Sequence, residues 1–457
     1  YLWIATDGDL YTQKFNAAIA TGEIPDIANV DKMNLKRLVE ADLLVDLKPY
    51  YDEYASDYVK ELIASAGDAA IKACTVNGVQ YGLPFLDCDL ETAQMIWLRQ
   101  DWLDALSLTA PTTLDEFKDV LRAFMDYAGE GGVGLAMSSD LYGNQFDIKG
   151  WCNAYGAYPK YWIDDGNGNA IYGSVQPEMK EALEQLARMY DAGLIDKQFV
   201  TRTGDDRKGL LNSGKSGAFF GNWWGAWEVA DSMSLDKEAE WKPYICPVGS
   251  DGKVTMFAGN PNSGYVVVRK GFEHPELIMK IASMQFDYSR YEEKDDEAYK
   301  ELADYSELNA DGSILAMNID YYDAFPRSSK RVVDALESGD TSPLNRHDMG
   351  TYVNNIKYLD SLAAGEESTS AGWASYNSMT AASLVAETEV SKVTPVFFGS
   401  TQSMALKWPT LVKMEQEMLL KIITGEKPVD YFDEFVENWN KTGGEQITEE
   451  VNQAIKE

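Results

Sequence analysis

Tyr11-Thr12-Gln13-Lys14-Phe15-Asn16-Ala17-Ala18-Ile19-Ala20-Thr21-Gly22-Glu23-Ile24-Pro25-Asp26-Ile27-Ala28-Asn29-Val30 is the stretch on which the fold class turns. From Tyr11 to Ala20 the apolar residues recur at helical spacing, which predicts a helix. Gly22 and Pro25 break that pattern, and Ile27 to Val30 reads as a short strand. Upstream, Tyr1-Leu2-Trp3-Ile4-Ala5 reads as a strand already under way. Downstream, Leu35 to Glu40 returns to helical spacing, and Asp42-Leu43-Leu44-Val45-Asp46-Leu47 leads to Pro49, read as a stop. Strand and helix therefore alternate, the signature of an α/β architecture.

The same signals continue along the chain. Asn77-Gly78 lies between two strand-like runs and predicts a hairpin, and Met95 to Arg99 reads as an apolar strand. Thr113 and Glu116 have the spacing of a capping box at the head of a helix. Gly129 to Gly134 reads as a loop, Asp164 to Asn169 as a turn, and Pro177 to Ala192 as an amphipathic helix stopped by Gly193. Gly264 to Arg269 predicts a β-branched strand, followed by a helix from His274-Pro275-Glu276 to about Phe286. Tyr288 to Glu307 reads as an exposed helix or crossover, Leu406 to Gly425 and Val429 to Asn440 as helices, and Gly443-Gly444 as a break before the last helix.

Bulk composition narrows the function classes. The chain has 457 residues, 45% hydrophobic and 25% charged, enough to bury a large core without external staples. It carries 74 Asp and Glu against 40 Lys and Arg, a formal charge of −34, so phosphate backbones and anionic lipid surfaces are repelled and nucleic acid is excluded as a partner. No apolar run is long enough to span a bilayer. Cys74, Cys88, Cys152 and Cys246 show no CxxC pair and no Cys/His spacing for zinc; they permit two disulfides or serve as small buried thiols.

Catalytic and cofactor motifs are weak. Gly209 to Ser216 matches the phosphate-loop pattern G-x4-G-K-[ST], but Asp205-Asp206-Arg207-Lys208 before it is no buried strand and Ala218 onward starts no helix, so no nucleotide is expected. Asp165-x-Asn167-x-Asn169 resembles the start of a calcium loop, yet Ala170 and Gln176 stand where Gly and Glu are needed, which favours a hairpin turn. The two histidines, His274 and His347, belong to no recognisable triad or zinc motif. No cofactor, no metal and no catalytic residues are expected.

Aromatic residues carry the stronger signal. Phe219-Phe220-Gly221-Asn222-Trp223-Trp224-Gly225-Ala226-Trp227 places three indoles in five residues, which cannot all point inward from one strand or helix. Small neighbours leave ring faces accessible, and an accessible indole suits the apolar C–H face of a sugar. Gly150-Trp151-Cys152-Asn153 and Gly372-Trp373-Ala374-Ser375-Tyr376-Asn377 share this style, with amides that both donate to and accept from hydroxyls. The alternative for each is a packed core.

Taken in order, several segments carry a family resemblance: Phe15 to Ile27, Gly78 to Pro84, Trp97 to Leu103, Pro111 to Phe117, the aromatic run with Trp241-Lys242-Pro243-Tyr244, and Trp439 to Ile447. Together they resemble extracellular solute-binding protein family 1, in its large lipoprotein branch of oligosaccharide-binding components of bacterial ABC importers. The resemblance implies a two-lobed periplasmic-binding-protein-like fold (type II) with a ligand cleft between the lobes. It places the first lobe at 1–103, lacking an opening strand and helix that the family pattern carries, and the second at 104–244. It returns to the first lobe at 245–290 and assigns 291–457 to a crossover and the rest of the second lobe. It also implies an extracellular monomer, lipid-anchored in its precursor, that delivers an oligosaccharide to permease subunits without altering it. The calcium loop of some relatives is absent, since Tyr127 to Val133 lacks the carboxylates and amides, so calcium is not carried over.

For the site, Trp223, Trp224 and Trp227 are the expected stacking platforms, and Asp87 and Asp89 are expected to accept hydroxyl protons. Trp151, Asn262, Trp373 and Tyr376 are secondary candidates. No Arg or Lys lies between Ala218 and Asp231, which favours a neutral oligosaccharide over a uronic acid polymer. The competing readings are a glycoside hydrolase or lyase with aromatic subsites, and a surface adhesin or sensor.

Overall fold

The structure is a computed structural model that describes residues 8–86, 90, 93–246, 248–249, 252–257, 262–289, 297, 300–301, 304, 315, 317–366 and 369–456. The expected opening strand, most of the 288–307 segment, Asp87, Cys88 and Asp89 lie outside the described residues. The chain forms two compact units, one from residues 1–89, 260–325 and 344–349, the other from 90–259, 326–343 and 350–457.

In the first unit the strand Asn262–Val268 lies at the centre of a three-stranded sheet. Ile27–Val30 pairs antiparallel on one side and Gly82–Leu86 on the other. The central strand is buried from Gly264 to Val268 because helices cover both faces, and its side chains alternate between two cores. Val266 and Val268 join Leu47, Val59, Leu62, Ile63, Ile278 and Phe286 on one face. Tyr265 and Val267 join Phe15, Ile24, Leu35, Leu38 and Cys74 on the other. Phe15, Leu35 and Leu38 come from the helices Gly8–Thr21 and Lys32–Glu40, so the helical spacing in the opening stretch is the spacing of core contacts.

One reading changes here. Pro49 does not stop an element; it stands in the first turn of the helix Lys48–Tyr54. The N–H that proline lacks has no acceptor in a first helical turn, so the ring starts that helix at no hydrogen-bonding cost. The helix expected from His274 begins at Leu277, whose N–H is accepted by the His274 carbonyl at 3.1 Å.

In the second unit Met95–Arg99 is the middle strand, flanked antiparallel by Ala218–Gly221 and Trp241–Ile245. Ile96, Leu98, Ala218 and Phe220 face a large core with Phe117, Leu121 and Phe124 of the helix Leu114–Ala128, and with residues of the helices Pro177–Asp191 and Gln402–Ile423. Trp97 and Phe219 face the other way and stack with centroids 6.3 Å apart. The Thr113–Glu116 capping box forms as expected, with Thr113 Oγ1 accepting from the Glu116 amide at 3.3 Å. Asn77 and Gly78 both take positive φ, 52° and 78°, as a two-residue hairpin between Thr75–Val76 and Val79–Gln80 requires.

The phosphate-loop pattern has no phosphate-loop context. Gly209 lies inside the helix Gly204–Asn212, and Lys215 donates to the Glu130 carbonyl at 2.8 Å. Asp164 to Asn169 is a turn closed on itself, with Asp165 Oδ1 accepting from the amides of Asn167 and Asn169 at 2.7 and 3.1 Å. Among the described residues no group of His, Cys, Asp and Glu is placed to hold a metal ion, and no helix is long and apolar enough to cross a membrane.

Candidate functional site

The strand Ala218–Gly221 ends in the aromatic run, and its geometry follows from what lies beneath it. Phe219 and Phe220 take opposite faces of the sheet, as successive strand residues must. At Asn222 the strand gives way to the short 3-10 turn Trp223–Gly225 and then to the helix Ala226–Val229. The three indoles thus leave a changing backbone, and they meet different environments. Trp223 and Trp224 are half-buried and edge-to-face, with ring centroids 5.3 Å apart and planes at 87°. Trp227 is 47% exposed, unusual for so large an apolar ring.

The turn is held from below. Asn222 is wholly buried. Its carbonyl accepts from Trp97 Nε1 at 3.0 Å and from the Gly225 amide at 2.9 Å. Its side-chain Oδ1 accepts from Gln94 Nε2 at 2.6 Å. Gly225 lies flat on the Trp97 indole, where a Cβ would fall 2.2 Å from Nε1. Gln94, Trp97, Asn222 and Gly225 were not legible as site residues from sequence, although Gly225 between indoles was the available signal.

A distant segment completes the surroundings. The helix Ser370–Glu387, capped by Thr369, packs across both the Trp223–Gly225 turn and the helix Ala226–Val229. The same helix carries Trp373 and Tyr376. Trp373 is buried, whereas Tyr376 is half-buried with its ring 5.5 Å from that of Tyr358. Asn377 spends its amide on the Trp373 carbonyl at 3.0 Å.

Two further sequence candidates, Trp151 and Asn262, already have structural partners. Trp151 is in the core, fully buried, its Nε1 donating to the Ala182 carbonyl at 3.1 Å. Asn262 belongs to the first unit, where its Nδ2 donates to the Ala70 carbonyl at 3.4 Å.

Two charged side chains beside the indole turn pair with each other. Glu228 pairs with Lys208 of the helix Gly204–Asn212 at 3.6 Å. Deeper in the unit, Asp147 is buried against Lys149 at 3.3 Å, and burial pushes its carboxyl up to about 6 against the pull of the lysine. Cys74, Cys152 and Cys246 are buried free thiols; burial pushes Cys74 up to about 12 and the other two further above the usual thiol range.

The family profile of the bacterial extracellular solute-binding proteins matches residues 3–284. The chain belongs to that family. Like this solute-binding protein, the polygalacturonan/rhamnogalacturonan-binding protein YtcQ of Bacillus subtilis aligns along most of its length, 25% identical over 97% of this chain and 83% of the relative. Lipoprotein LipO of Bacillus subtilis is 30% identical over 56% of this chain and half of its own. Among solved structures, an HMO-binding, ABC-transporter-associated solute-binding protein from Bifidobacterium longum infantis superposes with a TM-score of 0.64 at 16% identity, covering 99% of this chain and 91% of the other. The two-unit α/β architecture of this solute-binding protein is therefore the two-lobed periplasmic-binding-protein-like fold.

Proposed function

We propose that this solute-binding protein captures a neutral oligosaccharide by stacking on Trp223, Trp224 and Trp227 and delivers it unaltered to the permease subunits of an ABC importer. The observation that carries the reading is the edge-to-face indole pair beside a half-exposed third indole, on one short turn braced from within. Perpendicular rings offer two faces to successive sugar units, and Tyr376 on the adjacent helix adds a hydroxyl and a further ring. Lys208, on the helix packed against Ala226–Val229, is paired with Glu228, which offsets the attraction it would offer a polyanion. The protein acts as an extracellular monomer whose precursor carries a lipid anchor, in keeping with its family and with a relative named as a lipoprotein.

A second reading is an acidic pectic oligosaccharide, because the relative aligned over 97% of this chain is named for binding polygalacturonan and rhamnogalacturonan. The discriminating experiment is a thermal-shift and calorimetry panel of fructo-, xylo-, manno- and galacturonic oligosaccharides, with chromatography of each sugar afterwards. A neutral sugar that raises the melting temperature and is recovered intact supports the proposal, since ligand bound to the native state stabilises it by mass action. A shift confined to galacturonic oligomers replaces neutral with acidic. Shortened sugar moves the reading to a glycoside hydrolase or lyase, and no shift with any glycan removes carbohydrate altogether.

A further inference from the structure

We propose that Gln94 is a positioning residue for the Trp223–Trp224 platform: its amide fixes Asn222, and Asn222 fixes the turn that sets the angle between the two indoles. The inference rests on the proposed role of those indoles in sugar binding. Gln94 is the residue before the middle strand Met95–Arg99, and Asn222 is the residue after the flanking strand Ala218–Gly221. The register Met95↔Gly221 places the two amides next to each other at one end of the sheet.

Only one half of the Gln94 amide is used. Nε2 donates to Asn222 Oδ1 at 2.6 Å, while Oε1 is buried and has no hydrogen-bond partner among the described residues. A glutamine that is 3% exposed and leaves an acceptor unmet is costly as mere packing, since burying an unpaired amide oxygen disfavours the fold. The bond it does make is to the residue that starts the indole turn. That residue is also gripped through its carbonyl by Trp97 and Gly225, and Gln94 adds a hold on its side-chain oxygen. Remove the Gln94 donor, and the turn loses one of the contacts that set how Asn222, and the indole immediately after it, sits on the strand end.

The test uses the full chain carrying Gln94→Met, which keeps length and removes the donor, with Gln94→Ala as a smaller second variant should Met fail to fold. Leu186→Ala, a core truncation in the same unit, is the control for destabilisation alone. Three quantities are read: the far-UV exciton couplet of the coupled indoles in the sugar-free protein, the Kd for the tightest sugar of the panel, and the melting temperature. The expected result is a diminished couplet and a Kd roughly fivefold weaker in the Gln94 variants, the worth of about one neutral hydrogen bond. Leu186→Ala should lower the melting temperature and leave couplet and Kd unchanged. A wild-type couplet and Kd in both Gln94 variants, or the same couplet loss in Leu186→Ala, overturns the positioning role. If the wild-type protein binds no sugar, the proposed function fails, and the couplet in the free protein still decides whether Gln94 positions the indoles.

Discussion

Two glycines in the same unit should respond to alanine with opposite signs. Gly225 has helical backbone angles, φ −56° and ψ −22°, so alanine suits it conformationally and would gain up to ~1 kcal/mol on propensity alone. The space does not exist, however. The new Cβ would lie 2.2 Å from Trp97 Nε1 and 2.7 Å from its Cδ1 and Cε2, and Trp97 is completely buried with no freedom to withdraw. Overpacking of this kind costs ~1–3 kcal/mol, and displacing the indole also weakens its bond to the Asn222 carbonyl, worth about 1 kcal/mol. Gly225→Ala should therefore destabilise the second unit by ~1–3 kcal/mol net. Gly209 offers the contrast: it lies in the helix Gly204–Asn212, exposed, with nothing within 4 Å of the place an alanine Cβ would take. Gly209→Ala should stabilise by ~0.5–1 kcal/mol. Urea unfolding followed by tryptophan fluorescence reads both, taking the transition of the indole-rich unit because a two-unit chain need not unfold in one step. A Gly225→Ala protein as stable as the wild type would refute the close seating of the turn on Trp97.

The buried Asp147 makes stability depend on pH. Burial raises its carboxyl from the ordinary 3.8 to about 6, so the folded state holds the proton longer than the unfolded chain does. Its contribution is complete below pH ~4, is lost as pH rises toward 6, and is constant above, a slope that Asp147→Asn should remove in urea midpoints measured from pH 4 to 8. Trp151→Ala should cost ~3–5 kcal/mol of stability because the indole fills the core, whereas Trp227→Ala should change stability by about 0.5 kcal/mol and raise the sugar Kd by roughly tenfold. Calorimetry and denaturation on the same samples separate the two effects. Site-resolved alkylation should leave Cys74, Cys152 and Cys246 unmodified in the native protein at pH 8 and modify all three in urea, since burial holds each as the thiol.

Sequence by itself determined what depends on near neighbours along the chain. The helix through Phe15, the Asn77-Gly78 hairpin, the Thr113–Glu116 box and the end of the helix at Gly193 each follow from side-chain period, positive φ or a cap within a few residues. That the three indoles of the run are not all buried was legible for the same reason: no single strand or helix can turn three such closely spaced rings inward. Pro49 shows the limit of the local rule, because a proline stops one element and starts another by the same missing N–H, and only the following helix tells which.

Tertiary structure alone decided which strands pair and what braces the site. Nothing near Met95 says that its strand lies between Ala218–Gly221 and Trp241–Ile245, because sheet partners are chosen by complementary faces across long separations. The Gln94–Asn222 bond, the seat of Gly225 on Trp97, and the helix Ser370–Glu387 laid across the indole turn all depend on that choice. Trp151 and Trp227 look alike in sequence, each an indole among small residues, and the fold buries the first and exposes the second. Ring chemistry is written in the sequence; access to the ring is fixed by segments far away in the chain, which is why exposed indoles and core indoles separate only once the sheet and helices have closed around them.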